Sequence, residues 1–527
     1  MKKVLVSDTL AKEGIAIFKK AKGIKVDVIT NLTHDELKAI IKEYDALAIR
    51  SATRVTKDII NAAAKLKVIG RAGIGLDNVD VDAASIRGIV VMNTPGGNTN
   101  TTAEHTIAMM LSLARKVPQA TQSMKKGKWE KNKFMGAEIY NKTLGIIGTG
   151  RVGSIVAGRA QGLKMHVIAY DPFISPEAAE KLGINLVSFE ELLSRSDFIS
   201  VHTPLTDETK NIINATTIKK MKAGVFIINC ARGGIVNEKD LHDALVAGKV
   251  AGAALDVFEE EPTANKDLVS LENVICTPHL GASTEEAQRN VAIAVAEQMV
   301  DYLTTGEIKN AANFPSVSAE ALGLIRPYLA LAEKLGIFQA QIVSGAIKEV
   351  AVEFSGEIVS FDVTPITIAL LKGLLSPILK ESVNYINAPV IARERGIRVI
   401  ESKSSEPQDY ISMISVQVKT STDRSSTAGA IFGRRDPRIV RVDKFPLDII
   451  PEGHMVMIYN NDKPGVIGNI GTTLGASGIN IARLHLGREQ IDGKALVVLS
   501  TDSMLNGEAQ RKLKELPHVI SIRKIEM

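Results

Sequence analysis

Leu144-Gly145-Ile146-Ile147-Gly148-Thr149-Gly150-Arg151-Val152-Gly153 sets a short apolar run directly before a G-x-G-x-x-G string. The run reads as a buried parallel strand and the residues after Gly150 as the start of a helix, the context that makes such glycine spacing informative. Gly148 permits a tight turn, Gly150 lets a pyrophosphate approach the backbone, and Gly153 lets the helix pack against its strand. Free N–H groups and the dipole at the helix start then face the anion. A second strand, Val167-Ile168-Ala169-Tyr170, ends at Asp171, 18 residues after Gly153. That is close to the offset at which an acid meets the adenosine ribose, so the expected cofactor is NAD rather than NADP. Alone, the same residues would make a loop and an Asx-Pro turn; strand, helix and acid in register favour the dinucleotide.

Outward from this stretch the strand–helix alternation continues in both directions. Towards the C-terminus come Phe198-Ile199-Ser200-Val201, Val225-Phe226-Ile227-Ile228-Asn229, Ala251-Gly252-Ala253-Ala254-Leu255 and Val274-Ile275-Cys276. Towards the N-terminus a separate series begins at Val4-Leu5-Val6 and ends at Ile89-Val90-Val91-Met92. Two α/β units are implied, joined by a helix from about Thr101 to Lys116. A closing helix from about Ser283 to Leu303 stops at Gly306, and Asn313-Phe314-Pro315 reads as a linker. Residues 316 to 452 carry few motifs of known chemistry. From Gly453 a strand (Met455-Val456-Met457-Ile458-Tyr459), an Asn461-Asp462-Lys463-Pro464-Gly465 turn and a helix suggest a small βαβ module.

A chain of 527 residues is too long for one core and predicts three or four domains. Apolar residues at 45% and charged residues at 23% exclude disordered and fibrous classes. The net charge of +5 is spread along the chain, so nucleic acid is not an expected partner. Lys125, Lys126, Lys128, Lys131 and Lys133 around the single Trp129 form the densest basic stretch, ordinarily a solvated loop. Two cysteines without metal-ligand spacing, Cys230 and Cys276, support neither disulfides nor a metal site. No segment reads as a signal peptide or a membrane span, and a cytoplasmic protein is expected.

Three polar residues stand just beyond strands of the second unit: Arg232, Glu261 and His279. Ligands of open α/β sheets bind at that edge. Oxidation of a 2-hydroxy acid needs a cation for the carboxylate, a base for the hydroxyl proton and a partner that orients the base. The Arg232 fork matches a carboxylate, His279 titrates near neutrality, and Glu261 favours the protonated ring. Singly, each would be a surface cation, a capping acid or a loop histidine; their joint placement favours catalysis. No G-x-S-x-G nucleophile elbow occurs, so serine hydrolase chemistry is not expected.

The strings holding these residues, Gly70-Arg71-Ala72-Gly73-Ile74-Gly75-Leu76-Asp77-Asn78, Asn229-Cys230-Ala231-Arg232-Gly233-Gly234, Ala254-Leu255-Asp256-Val257-Phe258 and Pro278-His279-Leu280-Gly281-Ala282-Ser283-Thr284, resemble the D-isomer-specific 2-hydroxyacid dehydrogenase family. The likeness is nearest to its long form acting on 3-phosphoglycerate. It implies an α/β protein of two Rossmann-like, doubly wound parallel-sheet domains, then an α+β intervening domain and a C-terminal ACT domain of βαββαβ order. The expected boundaries are 1–98 with 284–314 for substrate binding, 99–283 for NAD, 315–452 intervening and 453–527 ACT.

The resemblance also implies roles. Arg232, Glu261 and His279 form the catalytic set; Arg151, Val152, Thr203, Cys230, Asp256, Gly281 and Ala282 join Gly148, Gly150, Gly153 and Asp171 beside NAD. Arg50, Ser51, Arg54, Arg71 and Asn98 line the substrate pocket, with Lys131 reaching substrate phosphate from a Trp129 loop that crosses to a partner subunit. Substrate and product are expected to be 3-phosphoglycerate and 3-phosphohydroxypyruvate, on the route to L-serine. L-serine is the expected effector, held by Asn460, Asp462 and Asn480. A homo-oligomer is expected, with four subunits and the helix after Thr101 at the dimer contact. Hydroxypyruvate or glyoxylate reduction and a non-catalytic NAD-sensing scaffold are the alternatives.

Overall fold

Short β-branched runs without alternation require burial on both faces, and in the computed structural model of the chain they form two parallel sheets. The structure describes residues 1–315, 319–379, 383–404, 406, 409–433 and 435–527. The first sheet comprises β1 (Lys2–Val6), β2 (Ile24–Val28), β3 (Ala46–Ile49), β4 (Val68–Arg71) and β5 (Val90–Met92) in the order β2-β1-β3-β4-β5. The second comprises β6 (Thr143–Ile147), β7 (His166–Tyr170), β8 (Asn185–Leu186), β9 (Phe198–Val201), β10 (Val225–Asn229), β11 (Val250–Leu255) and β12 (Val274–Cys276). Its order, β12-β11-β10-β9-β6-β7-β8, reverses direction between β6 and β9, the switch point where such sheets bind ligands.

Two helices cross between the units. The hinge helix, Thr99–Arg115, starts beside the first sheet and buries Ala103, Met109, Met110 and Leu113 against Leu144, Ile146, Ile228 and Ala254 of the second. It ends at Lys116, whose φ of 52° is left-handed. The return helix, Glu285–Thr305, is capped by the Thr284 hydroxyl and ends at the left-handed Gly306. It packs Val291, Ala292, Val295, Ala296 and Met299 under Val4, Val6, Ala48, Val68 and Met92. A Cβ on Gly70 would stand 2.2 Å from the Met299 sulfur, so the strand must be bare there. Asn313 finishes the first unit by bonding the Val91 N–H (3.0 Å), the Ile89 carbonyl (2.8 Å) and the Ser85 hydroxyl (3.0 Å).

The segment with few motifs forms a mixed sheet. It contains β13 (Ile347–Gly356), β14 (Arg398–Ser404), β15 (Ser412–Thr420), β16 (Arg424–Phe432), β17 (Asp436–Val442) and β18 (Phe445–Ile449), in the order β14-β13-β15-β16-β17-β18. Only β13 and β14 run parallel. Helices Ala319–Ile342 and Thr364–Leu375 cross so closely that a Cβ on Gly373 would lie 2.0 Å from the Glu333 carbonyl oxygen.

The last module, β19 (His454–Asn461), helix Val466–Ala476, β20 (Ile481–Arg488), β21 (Lys494–Thr501), helix Gly507–Lys514 and β22 (Val519–Glu526), has the expected βαββαβ order. Its antiparallel sheet runs β20-β21-β19-β22. Val456 and Ile458 face the module's own helices while Met455 and Met457 face the intervening core, which explains the unbroken apolar run. Among the described residues no helix is long and apolar enough to cross a membrane.

Candidate active site

The glycine turn has the geometry its three positions require. Gly148 has φ +91°, and a Cβ there would stand 2.9 Å from the His202 carbonyl oxygen. A Cβ on Gly153 would lie 2.1 Å from the Gly148 carbonyl oxygen, so the helix Arg151–Gly162 can approach the turn only without one. Gly150 faces open space, and no side chain caps the helix whose first residues are Arg151 and Val152. Backbone N–H groups are thus left for an anion. Across the switch point the buried Thr203 hydroxyl has no partner. An uncapped helix start, a bare cradle and an orphaned hydroxyl fit a dinucleotide.

Asp171 stands immediately after β7. One of its oxygens accepts from the Thr149 N–H (2.7 Å) and hydroxyl (2.8 Å), the other from the Phe173 N–H (2.9 Å). Burial raises this carboxyl, but the Phe173 and Thr149 bonds outweigh it and hold it below its usual value. Asp171 therefore braces the glycine turn, and its remaining lone pairs are open to ribose hydroxyls. Cys230 is buried under the same edge, its thiol pushed up to about 12 by burial and then by Asp256, so it is an inert wall.

A cleft of about 730 Å³ lies between the two units. It brings together Arg50, Ser51, Arg71, Asn98, Glu261, His279 and Ala282. His279 Nδ1 lies 2.7 Å from Glu261 Oε2, and Glu261 Oε1 accepts from the Phe258 N–H at 3.2 Å. The Glu261 hydrogen bond raises the His279 pKa above its ordinary value; burial and the Arg232 charge oppose it without winning. Burial raises Glu261, but the His279 bond and charge carry it below its usual value. Nδ1 is thereby committed to the carboxylate, leaving Nε2 for a substrate hydroxyl.

Arg50 and Arg71 of the first unit line the cleft, and Arg232 of the second unit, outside that lining, lies close enough for its charge to act on Arg71. The Arg71 guanidinium is pushed below its usual pKa first by burial and then by the Arg232 charge, with Arg50 adding to it. Its buried Nε has no partner. Arg232 Nε lies 3.5 Å from the Asp77 carboxylate, and its Nη1 donates to the Ala231 carbonyl (2.6 Å). Mutually repelling guanidiniums with an orphaned donor are arranged for an anion. The Asn98 side-chain oxygen is also buried without a partner at this wall.

Some expected residues do not converge within the chain. Arg54 is exposed and does not line the cleft. Lys131 belongs to an exposed segment whose Ala137 N–H bonds Ala114, at the far end of the hinge helix from Asn98. At 1.5 Å per residue that is about 20 Å away. The Trp129 ring on this segment is 82% exposed. In the last module Asp462 pairs with Arg488 (3.4 Å), whereas Asn480 donates to Asp502 (2.8 Å). Ile481 registers with Thr501 and Arg488 with Ala495, so Asn480 stands at the opposite end of β20. At about 3.3 Å per residue the separation is roughly 20 Å, and one chain cannot close Asn460, Asp462 and Asn480 around one small ligand.

Asp256, expected beside the cofactor, is fully buried and forms a hub. Its oxygens accept from Thr277 (2.5 Å), Leu280 N–H (2.7 Å) and Gly281 N–H (2.8 Å), with His105 Nε2 at 3.2 Å. Asp8 and Asn78 were also missed as supports. Asp8 accepts from the Arg50 N–H (2.6 Å), and Asn78 donates to the Arg50 (2.6 Å) and Thr53 (2.7 Å) carbonyls, shaping the Arg50–Arg54 loop. Gly-Leu-Asp-Asn, the string ending at Asn78, was the available signal.

A sheet reversing at an uncapped glycine turn, set against a cleft with a histidine–carboxylate pair, defines an NAD-dependent dehydrogenase. The chain matches the D-isomer specific 2-hydroxyacid dehydrogenase NAD binding domain over residues 107–281, the D-3-phosphoglycerate dehydrogenase intervening domain over 324–443 and the ACT domain over 454–518. It is 46% identical to D-3-phosphoglycerate dehydrogenase of Synechocystis sp. across 99% of this chain and 94% of that one. Identity to the Methanocaldococcus jannaschii enzyme of the same name is 44%, covering 100% of both. The chain belongs to the D-3-phosphoglycerate dehydrogenase family. Among solved structures, D-lactate dehydrogenase from Aquifex aeolicus complexed with NAD and lactic acid aligns with TM-score 0.53 and 28% identity, over 60% of this chain and all of that one. A glyoxylate reductase from Paecilomyes thermophila aligns at 0.55 and 30%, over 59% and 98%.

Proposed function

We propose that the cleft oxidises 3-phospho-D-glycerate to 3-phosphohydroxypyruvate with NAD, on the route to L-serine. The observation that carries this reading is the guanidinium cluster: Arg50 and Arg71 line the cleft with His279 and Glu261, and the Arg232 charge acts on both Arg71 and His279, which suits a substrate with both a carboxylate and a phosphate. Arg232 holds the carboxylate in its planar fork and fixes the hydrogen on C2 toward the cofactor side. His279 Nε2 takes the C2 hydroxyl proton, and Glu261 stabilises the imidazolium that results. Gly148, Gly150, Arg151, Val152, Gly153, Asp171, Thr203, Gly281 and Ala282 hold NAD, whose nicotinamide supplies the acceptor for hydride. The proposed domain limits are 1–98 with 284–314 for substrate binding, 99–283 for NAD, 315–452 intervening and 453–527 ACT.

Two further parts of the reading need more than one chain. The exposed Trp129 segment suits a subunit contact that brings Lys131 to a neighbour's cleft, which supports a homo-oligomer. The split of Asp462 from Asn480 supports an L-serine site shared by two last modules, and the buried, unpartnered Asn460 Oδ1 supplies a spare acceptor there. The test is NADH absorbance with 3-phosphoglycerate, D-lactate and glycolate as competing reductants of NAD. Preference for 3-phosphoglycerate is expected, and turnover of glycolate alone would assign the cleft to glyoxylate chemistry.

A further inference from the structure

The N-terminal face of the hinge helix holds the His279 loop at successive points. Thr101, Thr102 and His105 share that face, being three and four residues apart across His105. Thr101 Oγ1 lies 3.4 Å from Thr284 Oγ1, and Thr102 Oγ1 donates to the Gly281 carbonyl at 3.0 Å. His105 Nε2 lies 3.0 Å from Thr277 Oγ1 and 3.2 Å from Asp256 Oδ1. The loop so held carries His279 with φ +54°, a left-handed conformation that a residue with a Cβ adopts only when its surroundings enforce it. His279 donates its own N–H to the Asp256 carbonyl at 2.9 Å.

Asp256 has a side chain only 1% exposed, and among the described residues its sole ion-pair partner is His105. A buried carboxylate without lysine or arginine is costly unless it is fully hydrogen-bonded. Its Oδ1 gathers His105, Thr277 and the Leu280 N–H, and its Oδ2 takes the Gly281 N–H. Loss of the His105 donor therefore loosens the hub from which the His279 loop hangs.

We infer that His105 is a positioning residue for the oxidation: acting through Asp256 and Thr277, it fixes the loop that aims His279 at the substrate. This rests on the proposed role of His279 as the base. Side-chain reach separates the cases, because glutamine can place an N–H near the position of Nε2 and asparagine falls short of it.

The experiment compares full-length His105→Asn, His105→Gln, Thr102→Val and His279→Ala by steady-state kinetics with 3-phosphoglycerate and NAD, NADH fluorescence titration and thermal melting. His105→Asn is expected to lower kcat about 10- to 100-fold, the scale of a misplaced catalytic group, while the KM for NAD stays within about twofold. His105→Gln recovers most of that loss, and Thr102→Val shows a smaller loss confined to kcat. A kcat for His105→Asn within about twofold of the parent overturns the inference. So do equal losses in the Asn and Gln variants that track an equal fall in melting temperature. If the Asn variant does not fold, an unchanged kcat in Thr102→Val overturns it instead. Full activity in His279→Ala would end the underlying assignment of the base, an outcome distinct from an inactive His279→Ala beside an unaffected His105→Asn.

Discussion

Glu261→Gln keeps the shape of the His279 partner and removes its charge. The bond it alters is short, 2.7 Å, between side chains 49% and 38% exposed. Bonds to charged groups contribute about 1.5 to 3 kcal/mol where water is excluded, and half-exposed pairs retain about 1 kcal/mol. Transition-state stabilisation lost on that scale lowers plateau kcat between about fivefold and about 100-fold, the larger figure applying where substrate has displaced water. The sign of the pH effect follows from the pair. Glu261 raises the His279 pKa, and oxidation needs the neutral ring, so the parent's oxidative rate rises with pH through a value above the usual histidine range. With the carboxylate gone, that acid limb moves to lower pH, and in the reductive direction the alkaline fall moves the same way. Stopped-flow and steady-state NADH absorbance across pH read both. A limb that stays in place, or moves to higher pH, refutes the argument that Glu261 sets the protonation of His279.

Gly153→Ala sets a Cβ 2.1 Å from the Gly148 carbonyl oxygen; overpacking of about 1 to 3 kcal/mol should weaken NADH by about 10- to 100-fold in fluorescence titration. Asp171→Ala should weaken NAD and narrow its advantage over NADP, because the ribose acceptor and its repulsion of a 2′-phosphate both go; an unchanged ratio would leave Asp171 as a brace for Thr149 alone. Asn313→Ala removes three side-chain bonds that close the first unit, and a loss of about 3 kcal/mol is expected as an earlier first thermal transition. L-serine is expected to inhibit the parent, with inhibition lost in Asp462→Ala and in Asn480→Ala; absence of serine binding by calorimetry would remove the effector site.

The glycine turn was legible because its spacing is local, Gly153 answering to Gly148 and the turn to the strand before it, although Gly148 also packs against the distant His202. The strand ends bearing Arg232, Glu261 and His279 were legible for the same reason, since apolar runs mark where a strand stops. What holds those ends was not. Asp8 supports Arg50 from 42 residues away, and His105 reaches Asp256 across 151. No local periodicity encodes such pairs. The intervening α+β domain was expected from the resemblance alone, because its strands carry no motif, and the close crossing at Gly373 depends on a helix earlier in the chain. Asn460, Asp462 and Asn480 were grouped by motif, but strand register decides distance, and β20 starts at the end of the sheet far from Asp462.

The orphaned polar atoms explain why this cleft needs its ligands and its motion. Among the atoms buried without partners, Arg71 Nε and Asn98 Oδ1 belong to residues that line the cleft, Thr99 Oγ1 to the first residue of the hinge helix and Thr203 Oγ1 to the loop after β9. Buried polar groups in folded proteins are ordinarily paired, so the two on the cleft's walls are a donor and an acceptor open to a ligand. The His279–Glu261 pair proposed for the proton chemistry is by contrast half exposed, and a base in contact with bulk water is poorly controlled. Both conditions are relieved by the same movement. The two crossings between the units, at Asn98–Thr99 and Ser283–Thr284, lie side by side through Thr101 and Thr284, so they form a single axis rather than two. Rotation about that axis would bring Arg50 and Arg71 of the first unit toward Arg232 and His279 of the second, and the His105 contacts lie on the second unit's side of it. In the proposed reaction the loop carrying His279 can therefore stay rigid with respect to the second unit while the first unit closes on it.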